Sequence, residues 1–223
     1  MRREVITVGR VLAVFLVGVS LAFAQQAPPT DPTATRAADL VELIKLDPTI
    51  KLDIRYAGTN NFLGKPVYKE ARAFLQRPAA ESVVRAHRAL APHGYGLLIH
   101  DGYRPWAITK LFWDMTSGKQ REFVADPKTG SKHNRGAAVD LTMYELKTGK
   151  AVQMPGDYDE MTERSYPDYI GGTAEQRARR DLLRKAMEAE GFTVEPNEWW
   201  HFNYRAWQEY PILDIPFSAI VGK

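Results

Sequence analysis

The chain has 223 residues, of which 44% are hydrophobic and 26% are charged, and it contains no cysteine. This length fits one globular domain or at most two small ones. The lack of cysteine excludes disulfide frameworks, thiolate zinc clusters and cysteine nucleophiles, so any metal must be held by nitrogen and oxygen. The formal net charge is +3, but residues 1–24 carry three arginines and one glutamate, which leaves 3 − 2 = +1 for the remainder. So small a charge gives no electrostatic reason to expect a nucleic-acid partner.

Residues 1–24 have the pattern of a secretory signal peptide. An arginine-bearing start precedes an apolar run from Val11 to Ala22, and Ala22-Phe23-Ala24 is a small-x-small cleavage site. The alternative is an uncleaved membrane anchor, but the run is shorter than the roughly 20 apolar residues of a spanning helix. We therefore expect cleavage, export across the inner membrane to the periplasm, and no stable membrane insertion of the mature chain.

Residues 25–36 are rich in Pro, Thr and Gln and lack large apolar side chains, which predicts a disordered linker. No internal repeat and no second linker of this composition follows. One folded domain is therefore expected over residues 37–223, and the sequence indicates no particular oligomeric state.

The first half of this domain contains clear strand and helix patterns. Residues 51–56 alternate polar and apolar side chains as in a half-buried strand, and residues 78–90 have the spacing of an amphipathic helix. Residues 95–99 form a short apolar run typical of a buried strand. Pro105 is well placed at the first turn of a helix over residues 106–115.

The second half mixes strands with long polar loops. Thr173 and Gln176 form a capping box that starts a helix running to Glu190, and Gly191 is its stop signal. The other predicted elements are a polar loop over 116–131, strands over 137–143, 151–154 and 199–204, and an acidic, aromatic loop over 157–172. Hairpin turns outnumber βαβ units, which predicts an α+β fold with a mainly antiparallel sheet flanked by helices.

Two stretches contain the residues best suited to bind a metal or to catalyse a reaction. The run SKHNRGAAVD, residues 131–140, offers His133 and Asp140, and the run EWWH offers Glu198 and His201. Two histidines and one carboxylate are a ligand set that catalytic zinc uses, with a fourth position left for water. The remaining carboxylate, Glu198, could then act as a base on that water.

His133 and Asp140 can meet only if the backbone bends between them, because residues seven apart in a strand point to opposite faces. Gly136 permits such a bend. His133 would then lie on the incoming loop and Asp140 within the following strand, where a buried carboxylate needs a compensating partner such as a metal. The alternative is that Asp140 faces solvent on a half-exposed strand and that His133 is a surface residue.

Several neighbouring residues also have structural alternatives. Glu198 is expected at a bend that leads into the strand carrying His201. Trp199 and Trp200 could wall the site or simply pack in the core. Arg104 lies in a strand-to-helix turn and could form a salt bridge with Asp101. The remaining histidines are interpreted as structural or solvent-facing: His87, His93 and His100.

Taken together, these motifs resemble the D-alanyl-D-alanine dipeptidases, zinc enzymes of bacterial cell-wall metabolism. The resemblance covers about residues 45–217 and includes, in order, IRYAGTNNFLGKPVY, DGYRP, SKHNRGAAVDLTMY, MPGDYDEMTERS and EWWH. It implies hydrolysis of a small D,D-dipeptide with one zinc ion per chain. The implied zinc ligands are His133, Asp140 and His201.

The resemblance also implies roles around the metal. Glu198 corresponds to the general base, and Arg104 to the arginine that stabilises the transition state. Asp159 corresponds to the residue that holds the substrate ammonium, with Ser131 and Tyr56 as further substrate contacts.

The chain departs from the family pattern at two places near the substrate pocket. Residues 154–159 read MPGDYD where the family commonly has Met-Gly before Phe-Asp, and Tyr166 replaces a frequent histidine. Two other functions share part of the evidence. A D,D-carboxypeptidase that trims muropeptide stems would use the same ligands. A non-catalytic, metal-bearing wall-binding module would explain export and ligands but gives Glu198 and Arg104 no task.

Overall fold

The computed structural model describes residues 27–220, so the predicted signal peptide lies outside the described residues. Within this range, none of the helices has the length and apolarity that a membrane crossing requires. The helices and strands are β1 (Leu40–Glu42), α1 (Leu43–Leu46), β2 (Lys51–Leu52), β3 (Phe74–Gln76), α2 (Arg77–Leu90), β4 (Tyr95–Asp101), α3 (Trp106–Met115), β5 (Ala138–Glu145), α4 (Ala174–Ala189), β6 (Phe192–Glu195) and β7 (Glu198–Tyr204).

The centre of the fold is a five-stranded sheet with the order β2-β4-β5-β7-β6. Strand β2 pairs with β4 in parallel, and the other neighbours pair antiparallel. Strands β1 and β3 form a separate antiparallel pair. Helix α2 packs against α4 and β4, and α4 also packs against β6. The predicted α+β class with a mainly antiparallel sheet is confirmed.

The long helices begin and end where the local sequence predicts. Helix α2 has a proline in its first turn, and Pro105 occupies the N-cap position of α3. At the start of α4, the Thr173 hydroxyl accepts a hydrogen bond from the Gln176 N–H, and the Gln176 side chain accepts one from the Thr173 N–H. These groups replace hydrogen bonds that a helix N-terminus leaves open, so the helix start is encoded locally.

Some predicted strands are shorter than expected. Strand β2 covers only residues 51–52, and a 3-10 turn follows at Arg55–Ala57. The strand predicted over 151–154 is wrong, because only an isolated bridge joins Ala151 to Tyr144. Residues 152–154 already lie outside the sheet. The short strands β1, β3 and β6 were not predicted, and the polar loop contains a 3-10 turn at Gly118–Phe123.

Strand β5 separates the core from the candidate site. Val139, Leu141 and Met143 are fully buried in the hydrophobic core. Because side chains alternate between the faces of a strand, Asp140 points away from these three residues. The sheet therefore supplies a rigid base from which Asp140 projects.

Residues 27–36, most of the predicted linker, form no helix or strand but contact the domain. Asp31 pairs with the buried guanidinium of Arg135, and the backbone N–H groups of Thr35 and Arg36 donate to the Glu209 carbonyl. The domain boundaries derived from the sequence stay a prediction.

Candidate active site

A tight turn directs His133 and Asp140 toward the same place. Residues Lys132–Arg135 form a 3-10 turn in which the Ser131 hydroxyl accepts the His133 N–H and the Asn134 side chain accepts the Ser131 N–H. Gly136 ends the turn with φ 63°, in the left-handed region that favours glycine. The bend lets two residues seven apart converge, as the sequence predicts.

The ligand atoms of His133, Asp140 and His201 lie within van der Waals reach of one another. Asp140 Oδ1 is 3.3 Å from His133 Nε2 and 3.1 Å from His201 Nδ1. The two ring nitrogens are 3.2 Å apart. All three side chains are buried, and they are the one group with metal-ligand geometry found among residues 27–220.

The imidazole rings of His133 and His201 each make a hydrogen bond on the side away from Asp140. These bonds determine which ring nitrogen faces Asp140 Oδ1. His133 Nδ1 lies 2.7 Å from the Gly102 carbonyl and donates to it, so Nε2 keeps its lone pair. The Asn203 amide N–H donates to Glu195 over 2.6 Å, which turns the Asn203 oxygen toward His201 Nε2 at 2.8 Å. Nδ1 of His201 therefore also carries a lone pair in the neutral ring.

Three electron-pair donors facing one another require a positive charge between them. Asp140 Oδ1 is buried and, within the described part of the chain, accepts no hydrogen bond. Donor atoms around a tetrahedral zinc ion with bonds of about 2.0–2.1 Å lie about 3.3 Å apart, which matches the separations seen here. The residues therefore fit a zinc ion by donor type, spacing and orientation.

The electrostatics of these side chains agree with this. Burial lowers the pKa of His201, but the neighbouring carboxylates of Asp140 and Glu198 outweigh it and raise the pKa to about 10. Burial raises the pKa of Asp140, yet the two neighbouring imidazoles hold it well below its usual range. The carboxylates around His201 thus favour a positive charge at this point.

Glu198 is beside this group because of an irregularity between two strands. Its Oε2 lies 3.2 Å from His201 Nδ1, although residues three apart in a regular strand face opposite sides. The β6–β7 register shifts between Val194 and Glu195, and such a bulge re-aims neighbouring side chains. The sequence predicts Glu198 at a bend before the strand. In the structure Glu198 is instead the first residue of β7.

Arg104 is buried and held by carboxylates. Its Nε and Nη2 lie 2.9 and 2.8 Å from Asp101 Oδ2, and Nη2 lies 3.7 Å from Asp140 Oδ2. Asp101 also accepts hydrogen bonds from the Tyr68 hydroxyl and the Gly102 N–H. The salt bridge considered as an alternative is present, and it fixes the guanidinium at the edge of the candidate site.

Asp159 is a partly buried carboxylate on the loop that follows β5. The Tyr56 hydroxyl donates to it over 2.9 Å. Its φ of 59° lies in the left-handed region, which is uncommon outside glycine and costs of order 1–3 kcal/mol. Burial, reinforced by the negative charges of Asp140 and Glu198, raises the pKa of Asp159 well above its ordinary value. A cationic ligand group would relieve that repulsion.

These residues surround one cavity of about 260 Å³. Trp200 forms part of the cavity wall, and Trp199 is buried beside it. One tryptophan therefore lines the site, and the other packs in the core. All the site residues expected from the sequence line this cavity: Tyr56, Arg104, Ser131, His133, Asp140, Asp159, Glu198 and His201.

Comparison with known proteins agrees with the resemblance in the motifs. A family model described as D-Ala-D-Ala dipeptidase matches residues 36–215. The chain belongs to the D-Ala-D-Ala dipeptidase family. It is 32% identical over 184 residues to the D-alanyl-D-alanine dipeptidase of Escherichia coli strain K12, covering 82% of this chain and 94% of the relative. It is 37% identical over 190 residues to the D-alanyl-D-alanine dipeptidase of Enterococcus faecium, covering 75% and 92%.

The similarity to solved structures is weaker. The LdcB LD-carboxypeptidase is 18% identical and superposes with a TM-score of 0.44, covering 78% of this chain and 71% of that chain.

Sequence reasoning missed a second layer of residues around the ligands of this dipeptidase-family chain. Lys132 donates to Glu195 over 2.8 Å, and Glu195 in turn orients Asn203. Asn203 lies two residues from His201, and alternation along the strand could have indicated that both share a face. Tyr158, which contacts Asp140, gave no such signal because it lies in an irregular loop.

The remaining histidines are structural or solvent-facing, as expected. His87 accepts the Leu97 N–H and contacts Thr49, while His100 is buried beside Asp53. His93 is exposed.

Proposed function

We propose that the chain is a zinc-dependent dipeptidase that hydrolyses D-alanyl-D-alanine in cell-wall peptide metabolism. The observation that carries the proposal is the convergence of two imidazole lone pairs and one carboxylate oxygen within 3.1–3.3 Å. Membership of the D-Ala-D-Ala dipeptidase family and relatives of that name support the substrate.

His133, Asp140 and His201 would hold one zinc ion per chain. Zinc bound there would act as a Lewis acid that lowers the pKa of a bound water to about 7 and polarises the carbonyl oxygen of the substrate. The three residues leave room on the cavity side for water and substrate, since all three line that cavity.

Glu198 would move the proton. Its carboxylate takes a proton from the attacking water as the water oxygen bonds to the peptide carbon. It then gives that proton to the amide nitrogen as the C–N bond breaks, so that two alanine molecules leave. A positioned base of this kind accelerates a reaction by about 10²–10⁴-fold.

Arg104 would stabilise the negative charge that develops on the carbonyl oxygen during attack. It needs no reorganisation, because Asp101 already holds the guanidinium. Removal of one such donor typically costs roughly 3–4 kcal/mol of transition-state stabilisation.

Asp159 and Tyr56 would select substrates with a free amino terminus. An ammonium group near the Asp159 carboxylate would restore its ionised form and gain a charge-assisted hydrogen bond. A peptide extended at its amino end would place an uncharged amide, and no ammonium group, beside the Asp159 carboxylate. The cavity, at about 260 Å³, is smaller than the roughly 300–1,000 Å³ of drug-sized ligand pockets, which also favours a dipeptide. Ser131 borders the same cavity and is assigned as a further substrate contact.

The N-terminal pattern supports export. On this proposal, residues 1–24 direct the chain across the inner membrane and are removed, and the enzyme works in the periplasm. N-terminal sequencing of the exported protein should begin at Gln25, and a mature protein that starts at Met1 would contradict this part.

The decisive experiment is a zinc-loaded assay of the mature chain with D-Ala-D-Ala, L-Ala-L-Ala and a pentapeptide stem ending in D-Ala-D-Ala. We expect release of alanine from D-Ala-D-Ala, loss of that activity with a chelator, and its recovery with zinc. Preference for the pentapeptide would indicate the D,D-carboxypeptidase alternative. Stoichiometric zinc without release of alanine from any of them would indicate the non-catalytic module.

A further inference from the structure

Tyr158 is a buried residue outside the expected site, and its ring is fixed on several sides. The ring lies edge-on to Trp200 with centroids 5.4 Å apart and packs beside His100 at 4.7 Å. The Arg55 guanidinium lies 5.6 Å from the ring centroid. A ring held in this way leaves its hydroxyl little freedom of position.

That hydroxyl donates a hydrogen bond to Asp140 Oδ2 over 3.0 Å. The other oxygen of the same carboxylate, Oδ1, faces His133 and His201. The two oxygens of Asp140 therefore have different surroundings. Oδ1 faces the ligand nitrogens, whereas Oδ2 accepts the Tyr158 hydroxyl and lies 3.7 Å from Arg104 Nη2.

We propose that Tyr158 is a positioning residue that holds Asp140 as a one-oxygen metal ligand through Oδ1. The inference rests on the proposed zinc function. Partners of this kind orient the ligands of metal sites, and their loss typically costs 10–100-fold in metal affinity or activity. Without the hydroxyl, the carboxylate can rotate and present both oxygens to the cation.

The same bond ties the substrate side of the cavity to the metal side. Tyr158 directly precedes Asp159, whose backbone is held at positive φ. Because the two residues are adjacent, anchoring Tyr158 to Asp140 also limits where the Asp159 carboxylate can lie. The Tyr158 hydroxyl thus links the metal ligand Asp140 to Asp159, the residue proposed to bind the substrate ammonium.

The simpler alternative is that a buried hydroxyl merely takes the nearest acceptor. The variant Tyr158→Phe separates the two, since it keeps the ring contacts and removes only the donor. Tyr166→Phe is the matched control, because Tyr166 belongs to the same loop and is 37% exposed. Zinc affinity is measured by competition with a chromophoric chelator. We expect about 10–100-fold weaker binding for Tyr158→Phe and an unchanged value for Tyr166→Phe.

X-ray absorption at the zinc edge tests the coordination directly. For Tyr158→Phe we expect one more oxygen neighbour than in the unmodified protein, as Asp140 engages through both oxygens. Unchanged affinity together with an unchanged neighbour count would overturn the proposal, even if the variant melts at a lower temperature. If the unmodified protein binds zinc and hydrolyses D-Ala-D-Ala, that failure concerns Tyr158 alone. If the unmodified protein binds no zinc, the proposed function fails first.

Discussion

Asp140 and His201 are direct cross-strand partners in the antiparallel pair β5–β7. Sheet register alone thus brings a carboxylate and an imidazole from distant parts of the chain to 3.1 Å. A slip of one residue would turn one of them to the opposite face. The site therefore rests on strand pairing that the buried core residues of both strands enforce.

Replacement of Glu198 by glutamine should separate metal binding from catalysis. The amide keeps the shape of the side chain but takes no proton from water. We expect kcat to fall by about 10²–10⁴-fold while zinc content, measured by elemental analysis, stays at the level of the unmodified protein. The control is Glu122→Gln, an exposed carboxylate at the same cavity, which should retain activity. Unchanged turnover in Glu198→Gln would remove Glu198 from the mechanism.

Replacement of Asn203 by leucine should weaken zinc binding without removing a ligand. The His201 Nε2 proton then loses its acceptor, so the ring is no longer held with Nδ1 toward Asp140. We expect about a 10–100-fold higher zinc dissociation constant by chelator competition. Asn197→Leu serves as the control, because its amide donates to the Glu122 carbonyl and touches no ligand. Equal affinities in both variants would show that Asn203 does not orient His201.

The sequence could predict those parts of the fold and site that depend on local chemistry. Helices α2, α3 and α4 were anticipated because prolines and a capping box mark their starts. The turn between His133 and Asp140 could be predicted because glycine, found at position 136, is one of few residue types that readily adopt positive φ. The pairing of β1 with β3 was missed, since three-residue strands are defined by partners far away in the chain. Tyr158 was missed for the same reason, as only folding brings its loop against Asp140.

Replacement of Asp159 by asparagine should relax the requirement for a free amino terminus. A hydrogen bond to a charged group contributes about 1.5–3 kcal/mol, which corresponds to roughly 10–150-fold in kcat/KM for D-Ala-D-Ala. The unmodified enzyme should discriminate strongly against N-acetyl-D-Ala-D-Ala, and the variant much less. Asp157→Asn, an exposed carboxylate two residues away, should behave like the unmodified enzyme. If Asp159→Asn keeps the full discrimination, another group reads the ammonium.

Gly136→Ala should reveal how much the site depends on its turn. Gly136 has φ 63°, and an added Cβ would lie 2.5 Å from the Leu40 side chain. Gly118 has φ 55° but open space around it, so Gly118→Ala isolates the backbone cost. That cost is about 1–2 kcal/mol in the free energy of unfolding. The additional clash at Gly136 should add about 1–3 kcal/mol, measured by urea unfolding of the metal-free chain.

Zinc titration of the same two glycine variants completes the comparison. His133 and Asp140 flank Gly136, so a shifted turn moves two of the three candidate ligands relative to each other. We expect Gly136→Ala to bind zinc more weakly than the unmodified chain and Gly118→Ala to bind it equally well. If the two variants lose the same stability and both keep full zinc affinity, then the Leu40 contact and the bend at Gly136 do not shape the site. In that case the strand register between Asp140 and His201 alone would have to account for its geometry.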